Sequence, residues 1–378
     1  MTSRERVEMA LAHQEPDRVP MDLGGRVASM TQVAYDGLKD YLGIKDGSGE
    51  MANSWLTMDK MDERIYELFE IDFRRVYIKG PEKFEQKVHL DGIVEDEWGI
   101  RTRRVGPYSE IVNHPLSGLT LETLNEYRWP DPYQPGRVEG VQEEAERLYK
   151  ETDYAISAGA VSGGLLESAC WLRGMEDFLV DVVAEPEFAH SVLERLCEVE
   201  IGLWDVFLDE VGEYVQMAEG GDDLGTQRGP MVSLDTYRSV IKPHHKRLNQ
   251  AIHKKTKAKL FHHTCGSVYH LVEELIDVGV DVLNPVQPLA AHNDSFRMKE
   301  QFGSRVCFHG GVDEQVVLPT GTPEEVAEEV KTRIQAFAPG GGYILAAAHN
   351  IQPDTPPQNV LAMFRAAKKY GSYPLPER

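Results

Sequence analysis

The sequence contains few cysteines, and it has fewer basic than acidic residues. Its four cysteines, Cys170, Cys197, Cys265 and Cys307, are scattered over 378 residues. Such a number and spacing exclude a disulfide framework, and we interpret them as reduced thiols or metal ligands. The formal net charge is −22, from 62 acidic residues against 40 lysines and arginines. Binding to nucleic acid or to an anionic membrane surface is therefore not expected.

Long apolar runs are also missing. No segment approaches the roughly 18 uncharged apolar residues of a membrane-spanning helix. The first twenty residues are charged throughout, unlike a signal peptide. We therefore expect a cytoplasmic protein without a membrane partner. The hydrophobic content of 41% is typical of a folded chain, which can bury one large core or two ordinary ones.

The C-terminal half alternates short β-rich runs with helical stretches that carry start and stop signals. After Ser267, a predicted N-cap, apolar residues recur at helical spacing until Gly279. In a later helix Thr322 is the predicted cap, Pro323 occupies the first position and Glu325 completes a capping box. This alternation predicts parallel strands joined by crossover helices.

Eight candidate strands can be counted along the whole chain. They are Val19–Leu23, Phe73–Ile78, Tyr154–Ala160, Glu213–Ala218, Lys257–His263, Val280–Asn284, Arg305–His309 and Tyr343–Ala347. Eight such strands with intervening helices favour a closed (β/α)8 TIM barrel of the α/β class, although a doubly wound open sheet shares the local pattern. We expect one barrel domain over residues 1–378, with an N-terminal helical extension and a β insertion between strands 2 and 3, at about residues 80–150.

Polar side chains collect where the predicted strands end. These residues are Asp22, Glu219, Asp222, Asp223, His263, Cys265, Asn284, Gln287, His309, Asp313 and His349. In a TIM barrel the carboxyl ends of the strands meet at one face, and catalytic residues lie there. The barrel prediction therefore brings these groups together in one candidate site.

His263, Cys265 and His349 are the candidate metal ligands. Successive side chains of a strand point to opposite faces, so His263 and Cys265 share a face while His262 points away. His349 closes a separate apolar run near the end of the chain. These three groups could hold one divalent ion. The alternative is a core histidine packed beside a buried thiol.

Several segments, in order along nearly the whole chain, carry a family resemblance. They are Thr2–Val7, His13–Pro20, Arg173–Phe178, Gly221–Gln227, His263–Gly266, Asn284–Pro288 and Pro353–Asn359. With them the chain resembles the uroporphyrinogen decarboxylase-like superfamily, on the branch that holds cobalamin-dependent methyltransferases. The resemblance implies a (β/α)8 barrel and, in that branch, a zinc site of the pattern His-x-Cys followed by a distant Cys.

This sequence departs from the family pattern at two places. His349 stands where the second zinc-ligating cysteine of the methyltransferase branch is expected, and true decarboxylases also carry a histidine there. The arginine-containing loop of the decarboxylases is replaced by Met21–Arg26, which leaves Arg26 as the single arginine where that family uses two. A tetrapyrrole with eight carboxylates requires such cationic clamps. Decarboxylation therefore ranks second.

A His-Cys-His zinc site differs chemically from the family's His-Cys-Cys site. Two neutral imidazoles and one thiolate leave the ion with a net charge of about +1, so its Lewis acidity is expected to be higher. Three protein ligands also leave a coordination position open for catalysis. We therefore expect zinc-dependent O-demethylation of a small methoxylated aromatic substrate. Activation of a thiol acceptor is the alternative that charge counting leaves open.

The corrinoid is expected on a separate protein. The carrier signature Asp-x-His-x-x-Gly is absent from the sequence, so the resemblance implies a corrinoid (cobalamin) carrier protein as partner, beside a small-molecule methyl donor or acceptor. A third hypothesis is that the barrel binds a corrinoid or tetrapyrrole without turning it over. The sequence does not indicate an oligomeric state.

The remaining candidate site residues fall into two groups. Asp222, Asp223 and Glu167 are candidate catalytic groups, although a Gly-Asp-Asp loop and an acidic helix N-terminus are also ordinary structural features. The candidate substrate-binding residues are Asp22, Arg26, Trp171, Asn284 and Gln287. Trp171 and Trp55 could line an aromatic pocket or simply fill the core.

Overall fold

The computed structural model describes residues 1–45, 49–51, 57–89, 91–106 and 108–375. Trp55 lies outside the described residues. Within them the strands, in chain order, are β1 (Glu50–Met51), β2 (Met58–Lys60), β3 (Phe73–Val76), β4 (Lys87–Val88), β5 (Val94–Glu95), β6 (Arg101–Val105), β7 (Tyr108–Asn113), β8 (Ala155–Ala158), β9 (Met217–Gly221), β10 (Lys259–His263), β11 (Val282–Asn284), β12 (Cys307–Val312) and β13 (Tyr343–Ala347).

Helices surround these strands. The α-helices are α1 (Ser3–Leu11), α2 (Gln32–Leu42), α3 (Glu63–Phe69), α4 (Val141–Glu151), α5 (Leu165–Arg173), α6 (Met175–Ala184), α7 (Pro186–Val211), α8 (Leu234–Thr236), α9 (Lys242–Lys255), α10 (Val272–Asp277), α11 (Ser295–Phe302), α12 (Val317–Thr320), α13 (Pro323–Phe337) and α14 (Pro357–Tyr370). None of the described helices combines the length and apolar character that crossing a lipid bilayer requires.

The main sheet is a curled parallel barrel wall. Seven strands are hydrogen-bonded in the order β13-β12-β11-β10-β9-β8-β3, and the neighbouring pairs are parallel. The segment around Met21 closes the gap between the two outer strands. The N–H of Asp22 donates to the carbonyl of Leu345 on β13, and the N–H of Asp72, just before β3, donates to the carbonyl of Met21. The predicted barrel architecture is thus confirmed.

The predicted strands and helices agree with the structure to within two or three residues at their ends, except at three places. The first predicted strand, Val19–Leu23, is reduced to a parallel bridge between Met21 and Leu345. The fourth, predicted at Glu213–Ala218, is β9 and begins at Met217, because a turn follows the long helix α7. Ser267 does not cap a helix. Its hydroxyl donates to the carbonyl of Ala291 instead, and a short 3-10 turn at Tyr269–Leu271 precedes α10.

Helix α13 forms as its local sequence predicts. Thr322 and Glu325 make the reciprocal capping-box hydrogen bonds, with Pro323 at the first helical position. Val326 and Ile334 lie on the buried face of the helix. The capping groups satisfy N–H donors that the first helical turn leaves free, so the helix begins at a defined residue.

The N-terminal helix α1 closes the amino-terminal end of the barrel. Its Val7 and Leu11 belong to one buried cluster with inward-facing strand residues such as Phe73, Met217 and Phe261. The strand alternation that places these apolar side chains at the bottom of the barrel places Arg75 and Glu219, two residues further along, above them. The interior is therefore apolar below and charged above.

Between β3 and β8 the chain leaves the barrel. Strands β4 to β7 form a four-stranded antiparallel sheet in sequential order, which we call the meander (residues 87–113). The meander lies within the predicted insertion at about residues 80–150. Tyr108 at the start of β7 donates to Gln352 after β13, so the meander contacts the carboxyl-terminal face of the barrel.

Candidate metal centre and substrate cavity

A cavity of about 270 Å³ lies at the carboxyl-terminal end of the barrel strands. Its lining includes Phe261 and Trp171, the acidic residues Glu167 and Asp223, and Arg26. A volume of this size is close to that of sites for small ligands. We call this space the inner chamber.

The three predicted metal ligands meet at the inner chamber. One donor atom from each of His263, Cys265 and His349 lies within 4.8 Å of the other two. The Cys265 Sγ is 3.3 Å from the His263 Nε2, and the two imidazole rings are edge-on to each other with centroids 5.5 Å apart. His263 and His349 both line the chamber, so these donors stand where a substrate would bind.

A chain of hydrogen bonds fixes which nitrogen of His263 faces the other two ligands. The His309 Nε2 lies 2.9 Å from the buried carboxylate of Asp22, and donation there leaves the His309 Nδ1 as an acceptor. The side-chain amide of Asn284 donates to that Nδ1 at 2.9 Å. Its carbonyl oxygen then accepts from the His263 Nδ1 at 2.5 Å. The His263 Nε2 therefore keeps its lone pair for a metal ion.

Cys265 has its own supporting contacts. Its backbone N–H donates to the Asp223 carboxylate at 2.7 Å, and the Gln287 side-chain amide lies 3.8 Å from its Sγ. The Gln287 carbonyl oxygen accepts from the N–H of Gly266 at 2.9 Å. These contacts hold the turn after β10 in place and thereby fix the position of the Cys265 Sγ.

Burial shifts the pKa values of His349 and Cys265 in opposite directions. Burial and, to a smaller extent, the neighbouring His263 lower the pKa of His349 to about 4. His349 is thus neutral at pH 7 and able to ligate. Burial raises the pKa of the Cys265 thiol well above its ordinary range, and the negative charges of Asp223 and Glu314 add to the effect. A cation at this point would favour the thiolate and relieve that repulsion.

The donor set fits a zinc ion. Two imidazole nitrogens and one thiolate are the ligands that zinc prefers, and three protein ligands leave a coordination position open. The hydrogen bond at the His263 Nδ1 also leaves the other nitrogen facing Cys265 and His349. The carboxylates around Cys265 also favour a cation, because they supply negative potential where the three ligands meet.

The three predicted catalytic carboxyl groups have different environments. Asp222 is buried and fully engaged, because its two oxygens accept the N–H groups of Leu166 and Glu167 at the start of α5 and it also contacts His245 at 2.8 Å. Asp223 is partly exposed beside His263. Glu167 lines the inner chamber, and burial together with Asp223 and Asp222 raises its pKa to about 9.

The predicted substrate-binding residues divide into two groups. Arg26 and Trp171 line the inner chamber. Asp22, Asn284 and Gln287 do not line it. They lie behind its wall, where each side chain already has hydrogen-bond partners within the protein. Their geometry supports the orientation of other side chains rather than contact with a substrate, and the assignment to substrate contact stays a prediction.

Sequence reasoning missed Arg75, which lies at the centre of the charged layer below the chamber. Its guanidinium donates to both oxygens of Asp22, at 3.0 and 2.6 Å, and to Glu219 at 2.7 Å. Although burial opposes ionisation, Arg75 and His309 hold the pKa of Asp22 well below its usual range. Arg75 is an inward-facing residue in the middle of β3, so attention to strand ends alone did not find it. Strand alternation from Phe73 would have found it.

Replacing Arg75 is expected to destabilise the protein strongly. Arg75→Ala leaves the buried carboxylates of Asp22 and Glu219 without their shared cation, which costs about 3–5 kcal/mol of unfolding free energy. Urea denaturation of the wild type and the variant measures this difference. Arg103→Ala, at an exposed position on β6, is the matched control and is expected to change stability by less than about 0.5 kcal/mol. Equal stabilities of the two variants would contradict the ion-pair network.

Comparison with known proteins agrees with the architecture. The uroporphyrinogen decarboxylase (URO-D) family matches residues 106–370. A solved structure of a methyltransferase from Methanosarcina mazei superposes with a TM-score of 0.70 over 98% of this chain and 99% of that chain, at 18% sequence identity. At that level of identity the likeness shows the fold, and it covers the meander as well as the barrel.

Two curated relatives represent two different activities. The uroporphyrinogen decarboxylase of Magnetococcus marinus is 25% identical over 224 residues, 59% of this chain and 58% of the relative. The methylated-thiol–coenzyme M methyltransferase of Methanosarcina mazei is 23% identical over 261 residues, 68% of this chain and 65% of the relative. The match thus spans less than two thirds of either relative. Given the family match over residues 106–370, the chain belongs to the uroporphyrinogen decarboxylase family.

Proposed function

We propose that this protein is a zinc-dependent methyltransferase that demethylates a small methoxylated aromatic compound and passes the methyl group to a corrinoid on a partner protein. The observation that carries the proposal is the convergence of His263, Cys265 and His349 at the wall of a chamber that also contains Glu167. A soft, three-ligand metal site beside an uncharged carboxylic acid suits the cleavage of an ether bond. The methyltransferase among the relatives, and the sequence resemblance to the cobalamin-dependent branch, support the proposal.

The chain's own residues supply orientation and a proton. Zinc at the three ligands would act as a Lewis acid on the ether oxygen while the reduced corrinoid of the partner accepts the methyl group. Glu167 is protonated at pH 7, because its pKa is about 9, and it can give that proton to the departing phenol oxygen. Asn284 holds the ring of His263. Asp223 holds the backbone of Cys265.

The charge of the inner chamber favours a substrate without carboxylates. Glu219, Asp222 and Asp223 line it beside the protonated Glu167, whereas Arg26 is the single cationic side chain among its described lining residues. The Arg26 guanidinium donates to the carbonyl of Ser162 at 3.1 Å. A tetrapyrrole with many carboxylates would meet net negative potential here and would lack paired cationic clamps. Decarboxylation, the activity of the other relative, therefore ranks second.

Methyl transfer can be tested directly. The purified protein is incubated with 2-methoxyphenol and cob(I)alamin, and the formation of methylcobalamin is followed by its absorbance. We expect methylcobalamin and catechol to form in equal amounts, by a zinc-dependent reaction. The parallel assay with uroporphyrinogen follows coproporphyrinogen. Formation of coproporphyrinogen without methylcobalamin would replace the proposal with decarboxylation. Binding of uroporphyrinogen or of the corrinoid without any product would favour a non-catalytic role.

A further inference from the structure

A second chamber lies next to the first, beneath the meander. Its volume is about 390 Å³. One wall is the inner face of the meander, with Thr102 and Arg104 on β6 and Ser109 and Ile111 on β7, and the opposite wall is the barrel rim at Trp171. In the register of the two strands Thr102 lies opposite Ile111, and Arg104 lies opposite Ser109. We call this space the outer chamber.

A thin partition separates the two chambers. Arg26, Ser162, Gly163 and Trp171 line both of them. The outer edge of the Trp171 indole packs against Gly163, since a Cβ at Gly163 would stand 2.3 Å from the ring. Any side chain at position 163 would therefore displace the indole. The absence of one leaves room for the indole at the boundary, where it lines both chambers.

The lining of the outer chamber indicates the chemistry of its occupant. Trp98 and Trp171 offer two aromatic surfaces, and Gln86, Thr102 and Ser109 offer uncharged hydrogen-bonding groups. Such a lining suits a flat ring that bears hydroxyl groups, because the indole rings provide apolar contact while the amide and hydroxyl groups bind the polar substituents.

The acidic groups of the outer chamber are already satisfied within the protein. Glu97 pairs with Arg137 at 2.6 Å. Asp96 accepts the backbone N–H groups of Trp98 and Ile100, each at 2.9 Å. Both cations of the lining, Arg26 and Arg104, donate to backbone carbonyl oxygens. These contacts partly occupy the charged groups that an ionic ligand would need, whereas a neutral hydroxylated ring can bind with all of them intact.

We propose that the outer chamber binds a second, hydroxylated aromatic ring of an extended aryl ether whose methoxylated ring occupies the inner chamber. This inference rests on the proposed function for the reacting ring. It extends that function from single-ring methoxyphenols to two-ring substrates. The linker between the rings would pass Trp171, which lines both chambers.

Filling the outer chamber tests the proposal. Thr102→Trp places a large side chain on its inner wall, and Ser109→Phe does so from the neighbouring strand, in case one variant fails to fold. Arg103→Trp is the matched control, because Arg103 is exposed and alternates with Thr102 onto the opposite face of β6. Each protein is prepared without metal and titrated calorimetrically with a two-ring diphenol and with catechol, so that binding does not depend on methyl transfer.

The expected result is selective. The wild type is expected to bind the two-ring diphenol at least about tenfold more tightly than catechol, and each chamber-filling variant to lose that advantage, while Arg103→Trp retains it. Equal affinity of the wild type for the two ligands would overturn the proposal, as would equal losses in all three variants. A failed methyl-transfer assay with a retained binding preference would instead remove the proposed function and leave the outer chamber as a binding site.

Discussion

Purified wild-type protein is expected to contain about one zinc ion per chain, and Cys265→Ala and His349→Ala are each expected to retain less than about 0.1. Each substitution removes one of three donor atoms that lie within 4.8 Å of one another. Two remaining ligands cannot hold zinc through gel filtration, so methyl transfer is expected to be lost with the metal. Elemental analysis for zinc and the other first-row metals measures the content directly.

The controls separate ligation from general damage. Cys307→Ala removes another buried cysteine, whose Sγ contacts carbonyl groups of α1 at the opposite end of the barrel. His270→Ala removes an exposed histidine. Both variants are expected to keep the full zinc content. Full zinc content in Cys265→Ala or His349→Ala would contradict the three-ligand site, and metal-free wild-type protein from a chelator-free preparation would remove the zinc mechanism altogether.

Zinc binding is also expected to release protons in a defined number. His349 has a pKa of about 4, so it has no proton to lose at pH 7. The pKa of the Cys265 thiol is raised by burial and by nearby carboxylates, so the thiol must give up its proton to ligate. Calorimetric titration with zinc in buffers of different ionisation enthalpy should therefore show about one proton released per ion.

The barrel and the proximity of the three candidate metal ligands could be predicted from the sequence, because both depend largely on local patterns. Extending the strand alternation past His263 predicted Cys265 on the same side of the chain, and His349 lies two residues after β13. Helix α13 was predictable because its capping residues are adjacent in sequence to the helix that they begin. These features depend on short-range geometry, which a single sequence specifies.

The contacts behind the chamber wall could not be predicted in the same way. Asp22 and Asn284 lie at the ends of predicted strands, as catalytic residues do, but their partners, Arg75 and His309, come from other strands. Whether a side chain at a strand end faces the chamber or a neighbouring strand depends on which strands are adjacent and on their register. The outer chamber depends likewise on how the meander folds back against the rim, and sequence pattern does not encode that contact.

Glu167→Gln is expected to lower the rate of methyl transfer by about 10² to 10⁴ without reducing the zinc content. Burial, together with the charges of Asp223 and Asp222, raises the pKa of Glu167 from its ordinary value of 4.5 to about 9. The wild-type rate should therefore fall as Glu167 loses its proton, and the positive charge of bound zinc moves this decline to a pH below 9. The amide of glutamine cannot supply a proton, so the variant should lose this dependence on pH. Rate measurements from pH 6 to 9, at saturating substrate, provide the test.

The same pKa shift has a consequence for stability that does not depend on catalysis. Between pH 4.5 and pH 9 the folded, metal-free protein keeps the proton of Glu167 while the unfolded chain loses it, so the folded state binds more protons and its stability falls as the pH rises. Glu167→Gln removes this penalty and should be the more stable protein at pH 8, by more than about 1 kcal/mol. Glu110→Gln, at an exposed position on β7, should change neither stability nor rate. If Glu167→Gln kept the rate of the wild type and the same decline of that rate at high pH, Glu167 would not be the acid. If the variant also had the stability of the wild type, Glu167 would be ionised in the folded protein.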